Sequence, residues 1–282
     1  MNLTGQQYPL ISVITVSFNA ADFIDQTIES VLSQTYPHIE YIIIDGGSTD
    51  GTVDIIRKYE SHLAYWHSKP DRGLAHAFNL GLSHAHGAWI LFLNADDFFL
   101  NSTIVETMVP YLIINSALDV VYGRAIYMTQ SKNPTPAPFR KIFGEPWCWQ
   151  KFRLTDIIPH QASFINQRYF DRKGWFDESF RIVVDYELFL RGGKDLKALF
   201  IPLSIGGMRE GGLSGTQMIN NLRECRLARQ KNHILPVGLA WLTFFGQTFR
   251  FYLGRVLHKL LDRLSHKISL PGRNSANSLH SK

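Results

Sequence analysis

Residues 91–99 read LFLNADDFF. They continue an apolar run, 89–93 (WILFL), that suits a strand hidden on both faces of a sheet. Asp96 and Asp97 then place two neighbouring carboxylates where burial ends. Such charges are costly unless water, hydrogen bonds or a cation meets them. A plain turn is the simplest explanation, because Asn and Asp are common where strands stop. A metal site also explains the doubled charge.

Working outward, the first hundred residues alternate in a βα rhythm. Residues 11–16 (ISVITV) read as a buried strand that ends in the turn Ser17-Phe18-Asn19. Ile24, Ile28, Val31 and Leu32 recur at helical spacing, with Pro37 beyond them. A second apolar strand, 41–44, stops at the polar run 45–51 (DGGSTDG). A short helix over 53–59, a strand near 64–67, the turn 69–73 (KPDRG) and a helix over 74–83 follow. The strand at 89–93 closes the series. Strands alternating with helices imply right-handed crossovers and a mainly parallel sheet. Ligands of such sheets gather outside the carboxyl ends of the strands, where each of these polar clusters falls.

Beyond residue 100 the pattern loosens. Residues 119–128 and 199–205 suggest strands, 186–190 a helix, and 131–140 (SKNPTPAPFR) a Pro-rich surface loop. Gly206-Gly207 and Gly211-Gly212 bracket Arg209 in what reads as a mobile loop carrying a cation.

Composition bounds the function. An apolar fraction of 45% in 282 residues supports a packed core. The net charge of +5 is concentrated at the C-terminal end, because residues 221–282 hold 11 Lys and Arg against 2 Asp and Glu. That asymmetry points to an anionic partner. Two cysteines, Cys148 and Cys225, without metal-binding spacing, argue against a disulfide framework and fit a reducing compartment. The opening MNLTGQQYPL has no secretory character, so a cytoplasmic catalytic part is expected. Neither a Walker loop nor GxGxxG occurs, which removes support for a P-loop NTPase or a dinucleotide-binding enzyme.

Three clusters carry chemistry. In residues 45–51 a strand-end carboxylate can meet a base or ribose, although Asp50 or Thr52 can equally cap the next helix. In the second cluster Arg72 or Lys69 can face a phosphate and Asp71 a sugar, with Asn79 on the following helix. In the third, Asp96 and Asp97 can divide the labour between a sugar hydroxyl and a Mg²⁺ or Mn²⁺ ion that neutralises a diphosphate leaving group.

The segments ISVITVSFNA, IEYIIIDGGSTDGT, KPDRGLAHAFNLG and FLNADD, in this order, resemble those of the inverting family 2 glycosyltransferases with the GT-A fold. PHQASF and VVDYELFLR resemble the subgroup of bacterial surface-polysaccharide synthesis, and the likeness spans roughly residues 9 to 215. It implies an α/β, GT-A-type, Rossmann-like and mostly parallel sheet flanked by helices. It also implies a UDP- or GDP-linked sugar donor and Mn²⁺ or Mg²⁺. By this resemblance donor-binding residues would be Ser17, Asn19, Asp45, Asp50 and Asp96; the residue-level reading adds Asp71, Arg72 and Asn79, and Arg209 as either a cation closing over the diphosphate or part of a plain surface loop. Asp97 would ligate the metal and Asp185 would be the catalytic base; the resemblance puts His160 and Gln161 on the acceptor side, while a His between Pro159 and the apolar run 162–165 equally suits a satisfied core residue. Asn94 and His76 stand where relatives often carry Asp, and Val184 where a Glu is frequent, leaving Glu187 as a fallback base. Trp147, Trp149 and Trp175 are either core residues or platforms for acceptor sugars.

The catalytic domain is expected over 1–220, with a donor part at about 9–100 and an acceptor part at about 101–220. Residues 221–270 read as a basic amphipathic helical extension, and 271–282 as a disordered tail. Trp241, Phe244, Phe245, Phe249, Tyr252, Val256 and Leu260 recur mostly at steps of three or four, interleaved with Arg250, Arg255, Lys259 and Arg263. That pattern suits either an interfacial helix on the inner face of the bacterial plasma membrane or a helix packed on the domain. A lipid-linked saccharide acceptor would explain a membrane position. A sugar-phosphate nucleotidyltransferase and a catalytically silent sugar- or lipid-binding module are the rival readings. Nucleic acid is not expected as a partner, because the basic segment is too apolar and lacks a recognised motif.

Overall fold

The computed structural model describes residues 8–137 and 142–268, with the backbone alone at 213–214 and from 254 onward. The β-strands are β1 Ile11–Ser17, β2 Ile39–Asp45, β3 Tyr65–Ser68, β4 Trp89–Phe92, β5 Asp97–Phe99, β6 Val120–Met128, β7 Ile142–Phe143, β8 Ser163–Asn166 and β9 Ala198–Arg209. The helices are α1 Ile24–Leu32, α2 Thr52–Lys58, α3 Leu74–Ser83, α4 Ile104–Ile114, α5 Trp149–Phe152, α6 Gln167–Lys173, α7 Val184–Leu190, α8 Leu213–Thr216, α9 Met218–Lys231 and α10 Val237–Ile268. One sheet runs β3-β2-β1-β4-β8-β6-β9-β5, with β7 on the edge of β6.

The first four strands in that order are mutually parallel, as the βα rhythm requires. Their apolar runs are continuous because both faces are covered. Ile14, Val16, Ile42, Ile44 and Phe92 pack on one side with Phe78 of α3. Ile11, Val13, Tyr41, Ile43 and Leu91 pack on the other with Ile24 and Ile28 of α1. The second half is mixed: β8 is antiparallel to β4 and β6, whereas β6 and β9 are parallel.

Strand β9 corrects one expectation. Residues 206–209 are not a mobile loop but the end of a strand held between β6 and β5, and Arg209 is buried. Gly207 faces Phe98 across the β5–β9 pair, and a Cβ there would stand 2.5 Å from the ring. The glycines therefore mark close packing under an aromatic side chain.

The expected boundary at residue 220 falls inside α9, which lies against the catalytic-domain helix α7. In α10, Ala240 and Phe244 are buried, while Trp241, Leu242, Phe245, Phe249, Tyr252 and Leu253 are exposed. At 3.6 residues per turn these six exposed side chains share one sector of about 120°. The helix thus has two apolar faces, and Phe244 belongs to the inner one. The side chains of Val256 and Leu260, and the tail 271–282, lie outside the described residues. Among the described residues no helix is long and apolar enough to cross a membrane.

Gly207→Ala should drive Phe98 out of its seat and destabilise the fold by about 1–3 kcal/mol. The urea midpoint should fall with an unchanged slope. An unaltered midpoint would show that the β5–β9 packing has slack.

Candidate active site

Parallel register aligns the carboxyl ends of β1, β2 and β3: Ser17 pairs with Asp45, and Asp45 with Ser68. The chain leaving β4 continues this edge, with Leu93 N–H donating to Ile14 O at 2.9 Å and Ala95 N–H to Val16 O at 3.1 Å. Asp96 therefore emerges beside the Ser17 turn.

Asp45 is fully buried and accepts hydrogen bonds from Ser17 Oγ (2.9 Å), Ser48 Oγ (2.5 Å), Ser68 Oγ (2.6 Å), Gly47 N (3.1 Å) and Ser48 N (2.8 Å). Burial alone would raise its pKa, but the hydrogen bonds from Ser48, Ser68 and Ser17 outweigh it and hold the carboxyl below the usual range. The residue ties three strand ends together. Asp50 acts similarly in the loop, accepting from Ala21 N and from Thr52 N and Oγ1. Asn19 has positive φ, and its Oδ1 accepts from Thr49 N at 3.0 Å. Beside this network Phe18 is 66% exposed, an aromatic ring held at the edge.

The Asp96–Asp97 turn is built from beneath. Thr27 Oγ1 donates to Ala95 O (2.8 Å) and Asp97 O (2.6 Å). Arg209 donates to Asp96 O at 2.6 Å, to Ser131 O at 3.3 Å and to Gln26 Oε1, and it lies against the rings of Phe23 and Phe98. Asp97 is 2% exposed. Burial, and then the charge of Asp96, push its carboxyl well above the usual range despite Arg209. Burial also raises Asp96, which is partly exposed.

A hydrogen-bonded chain leads from this turn to α7. Asn94 Nδ2 lies 3.1 Å from His160 Nε2, and His160 Nδ1 lies 2.9 Å from Asp185 Oδ2. Because a carboxylate only accepts, His160 donates from Nδ1, and with the Asn94 amide so placed its Nε2 accepts. Asp185 Oδ1 accepts from Tyr186 N at 2.8 Å. Asp156 completes the cluster: burial and then the charge of Asp185 hold its carboxyl well above the usual range. Asn94 Oδ1 and both side-chain polar atoms of Gln161 are buried without a hydrogen-bond partner among the described residues. Orphaned polar atoms of this kind are expensive in a core.

The structure thus gathers Ser17, Asn19, Asp45 and Asp50 in one network, and Asp96, Asp97, His160 and Asp185 in another. Asp71 sits above the first, its Oδ2 2.7 Å from where a Cβ on Gly46 would stand. Other expectations need correction. Asn79 is consumed by the backbone of Phe176, donating to its O and accepting from its N at 2.9 Å each. Arg72 points away to an exposed pair with Glu178 at 2.7 Å. Arg209 is a strut beneath the turn, because its guanidinium is spent on Asp96 O and Gln26. Glu187 is neither solvated nor available as a fallback base, being buried against Arg191 and Asn232. Trp147 and Trp149 pack on the core, whereas Trp175 is 45% exposed.

Residues 12–172 match the family described as Glycosyl transferase family 2. The chain belongs to that family. A Mycobacterium tuberculosis glycosyltransferase, Rv1514c, is 35% identical over 188 residues, covering 65% of this chain and 68% of its own. A Bacillus subtilis protein described as a teichuronic acid biosynthesis glycosyltransferase, TuaG, is 47% identical over 94 residues, or 32% of this chain and 36% of its own. Among solved structures, S. aureus TarS in complex with UDP superposes with a TM-score of 0.59 at 16% identity, over 83% of this chain and 69% of its own. The mannosyltransferase PcManGT from Pyrobaculum calidifontis, in complex with GDP-Man and Mn²⁺, gives 0.63 at 18%, over 82% and 66%. These structures share the GT-A fold. The sugar-phosphate nucleotidyltransferase reading falls with the family assignment.

In this glycosyltransferase two residues escaped the sequence. Asp156 carried no strand-end or motif signal and joins Asp185 only through the fold. Phe18 stood in a recognised turn, and an aromatic residue in such a polar turn was the available signal.

Asp156→Asn tests the half-buried carboxyl. A carboxyl raised in the folded state favours its protonated form, whereas the unfolded one ionises near about 3.9. Its contribution to stability therefore declines as pH rises above that value. Asn keeps the oxygen that accepts from Ile158 N. The melting temperature of Asp156→Asn relative to wild type should rise between pH 4 and 7; a constant or falling difference would contradict the burial argument.

Proposed function

We propose that this glycosyltransferase moves a sugar from a UDP- or GDP-linked donor to a hydroxyl of a saccharide or lipid-linked saccharide, with inversion, in surface-polysaccharide synthesis. The observation that carries the reading is the Asn94–His160–Asp185 chain, which joins an oriented carboxylate to the Asp96–Asp97 turn. The nucleotide complexes of TarS and PcManGT and the naming of TuaG support the donor and pathway classes.

In this reading the donor lies along the carboxyl edge, its base against Phe18 near Asp71, and its ribose or sugar toward Asp96. Asp185 takes the proton of the acceptor hydroxyl as that oxygen attacks the anomeric carbon. The bond from that carbon to the diphosphate breaks on the opposite face, and the nucleoside diphosphate leaves with the electron pair. His160 orients the base through Oδ2.

Asp97, with Asp96 beside it, fits a hard cation. The pair supplies carboxylate oxygens whose charges lack adequate compensation, and among the described residues no cluster of three or more His, Cys, Asp or Glu side chains could enclose an ion. That donor set suits Mg²⁺ or Mn²⁺ completed by phosphate oxygens and water. A bound ion would supply charge neutralisation to the leaving diphosphate.

The exposed apolar face of α10 supports peripheral attachment to the inner face of the plasma membrane. Arg250 is exposed at its margin, and Arg255, Lys259 and Arg263 follow in sequence, as anionic headgroups favour.

A panel of UDP- and GDP-sugars with Mn²⁺ should yield one donor that binds and turns over. Asp185→Asn should retain donor binding but lower turnover by about 10²-fold or more. Wild-type turnover in that variant would remove Asp185 as base. The double change Phe245→Ser/Phe249→Ser in α10 should weaken binding of the full chain to vesicles containing anionic lipid, and more strongly at high salt. Undiminished sedimentation with vesicles would refute the membrane role of this face.

A further inference from the structure

Helix α7 carries Asp185 in its first turn, yet its own sequence supplies no N-cap. Val183 occupies that position and makes no side-chain capping bond. The residues before it, Arg181 and Ile182, offer only backbone N–H groups. Within the first turn Tyr186 N is met by Asp185 Oδ1, so the approach of the chain to Val183 has to be held by another element if Asp185 is to be placed to within a fraction of an ångström.

Helix α9 holds that approach from outside. Glu224 accepts from Ile182 N at 2.8 Å, Arg181 N at 3.1 Å and Val183 N at 3.2 Å. One turn further along α9, the buried Arg229 donates from Nε to Tyr186 Oη at 3.1 Å and also bonds Leu154 O. Asn232, just past the helix, donates to Glu187 Oε1 at 3.0 Å. The backbone just before Asp185 and the two side chains just after it are thus gripped by a single element. Leu154 belongs to the segment leading to Asp156, and Gln247 of α10 donates to the same carbonyl at 2.9 Å. The residues supplying these bonds lie beyond the 12–172 segment that matches the family.

We propose that Glu224 is a positioning residue for the catalytic base, and that α9 is part of the active-site scaffold rather than a link to a surface anchor. Three N–H groups converging on one carboxylate fix the entry of α7, and thereby the direction from which Asp185 meets the acceptor. The charge of Glu224 also lies at the positive end of the helix, where an anion is favoured. This inference rests on Asp185 being the base.

The test uses the full chain carrying Glu224→Ala or Glu224→Gln, beside Asp185→Asn. Donor turnover is read as release of UDP from UDP-GlcNAc or of GDP from GDP-mannose with Mn²⁺. Amide hydrogen exchange is followed over residues 180–190. Glu224→Ala should speed exchange at 181–183 and leave β1 to β4 unchanged. It should lower kcat on the order of tenfold or more with donor KM unchanged. Glu224→Gln, which keeps an oxygen facing the same amides, should recover part of both effects. Unchanged exchange at 181–183 in Glu224→Ala would overturn the proposal, as would a loss confined to donor KM. Full turnover in Glu224→Ala while Asp185→Asn is inactive would defeat the positioning role and leave the base intact. Full turnover in Asp185→Asn would remove the base and the positioning role together.

Discussion

A carboxylate withdrawn from water must be given donors or a counter-charge, and the carboxyl edge of this sheet meets that constraint in two ways. Asp45 receives five hydrogen bonds and becomes a rivet for β1, β2 and β3. Asp97, also buried, is left with a raised carboxyl despite the charge of Arg209 and the backbone N–H groups of Asn94 and Arg209. A satisfied buried charge stabilises its surroundings, whereas an unsatisfied one is tolerated where a ligand completes it. Arg209 allows both in one small region: it supports the turn through the backbone oxygen of Asp96, leaving the two carboxylates without a direct ion pair.

The same constraint explains how much was legible in sequence. The parallel half of the sheet could be read because each strand is a continuous apolar run that ends in charge, and because α1 and α3 repeat their apolar residues at helical spacing. Asp96, Asp97 and Asp185 are singled out by motif, since the resemblance is carried by those residues. Side chains that look identical in a motif but turn to different partners could not. Asn79 lies one helical face away from the edge and is captured by the backbone of Phe176. Arg72 is drawn off by Glu178, more than a hundred residues distant in sequence. Paired glycines around Arg209 imitate a flexible loop, yet Gly207 is required by a ring on the neighbouring strand.

The C-terminal helices show why an either-or reading of a periodic pattern can fail. Steps of three and four predicted one apolar face on α10, to be given either to membrane or to protein. A helix can carry two such faces, and here Phe244 turns inward while Phe245 turns outward. The inner face and Gln247 join the helix to the backbone of Leu154, where Arg229 also bonds. A segment that began as a basic appendage is therefore continuous, bond by bond, with the helix that carries Asp185. The outer face therefore belongs to an element whose other side bonds, through Gln247, to the same Leu154 carbonyl that Arg229 holds.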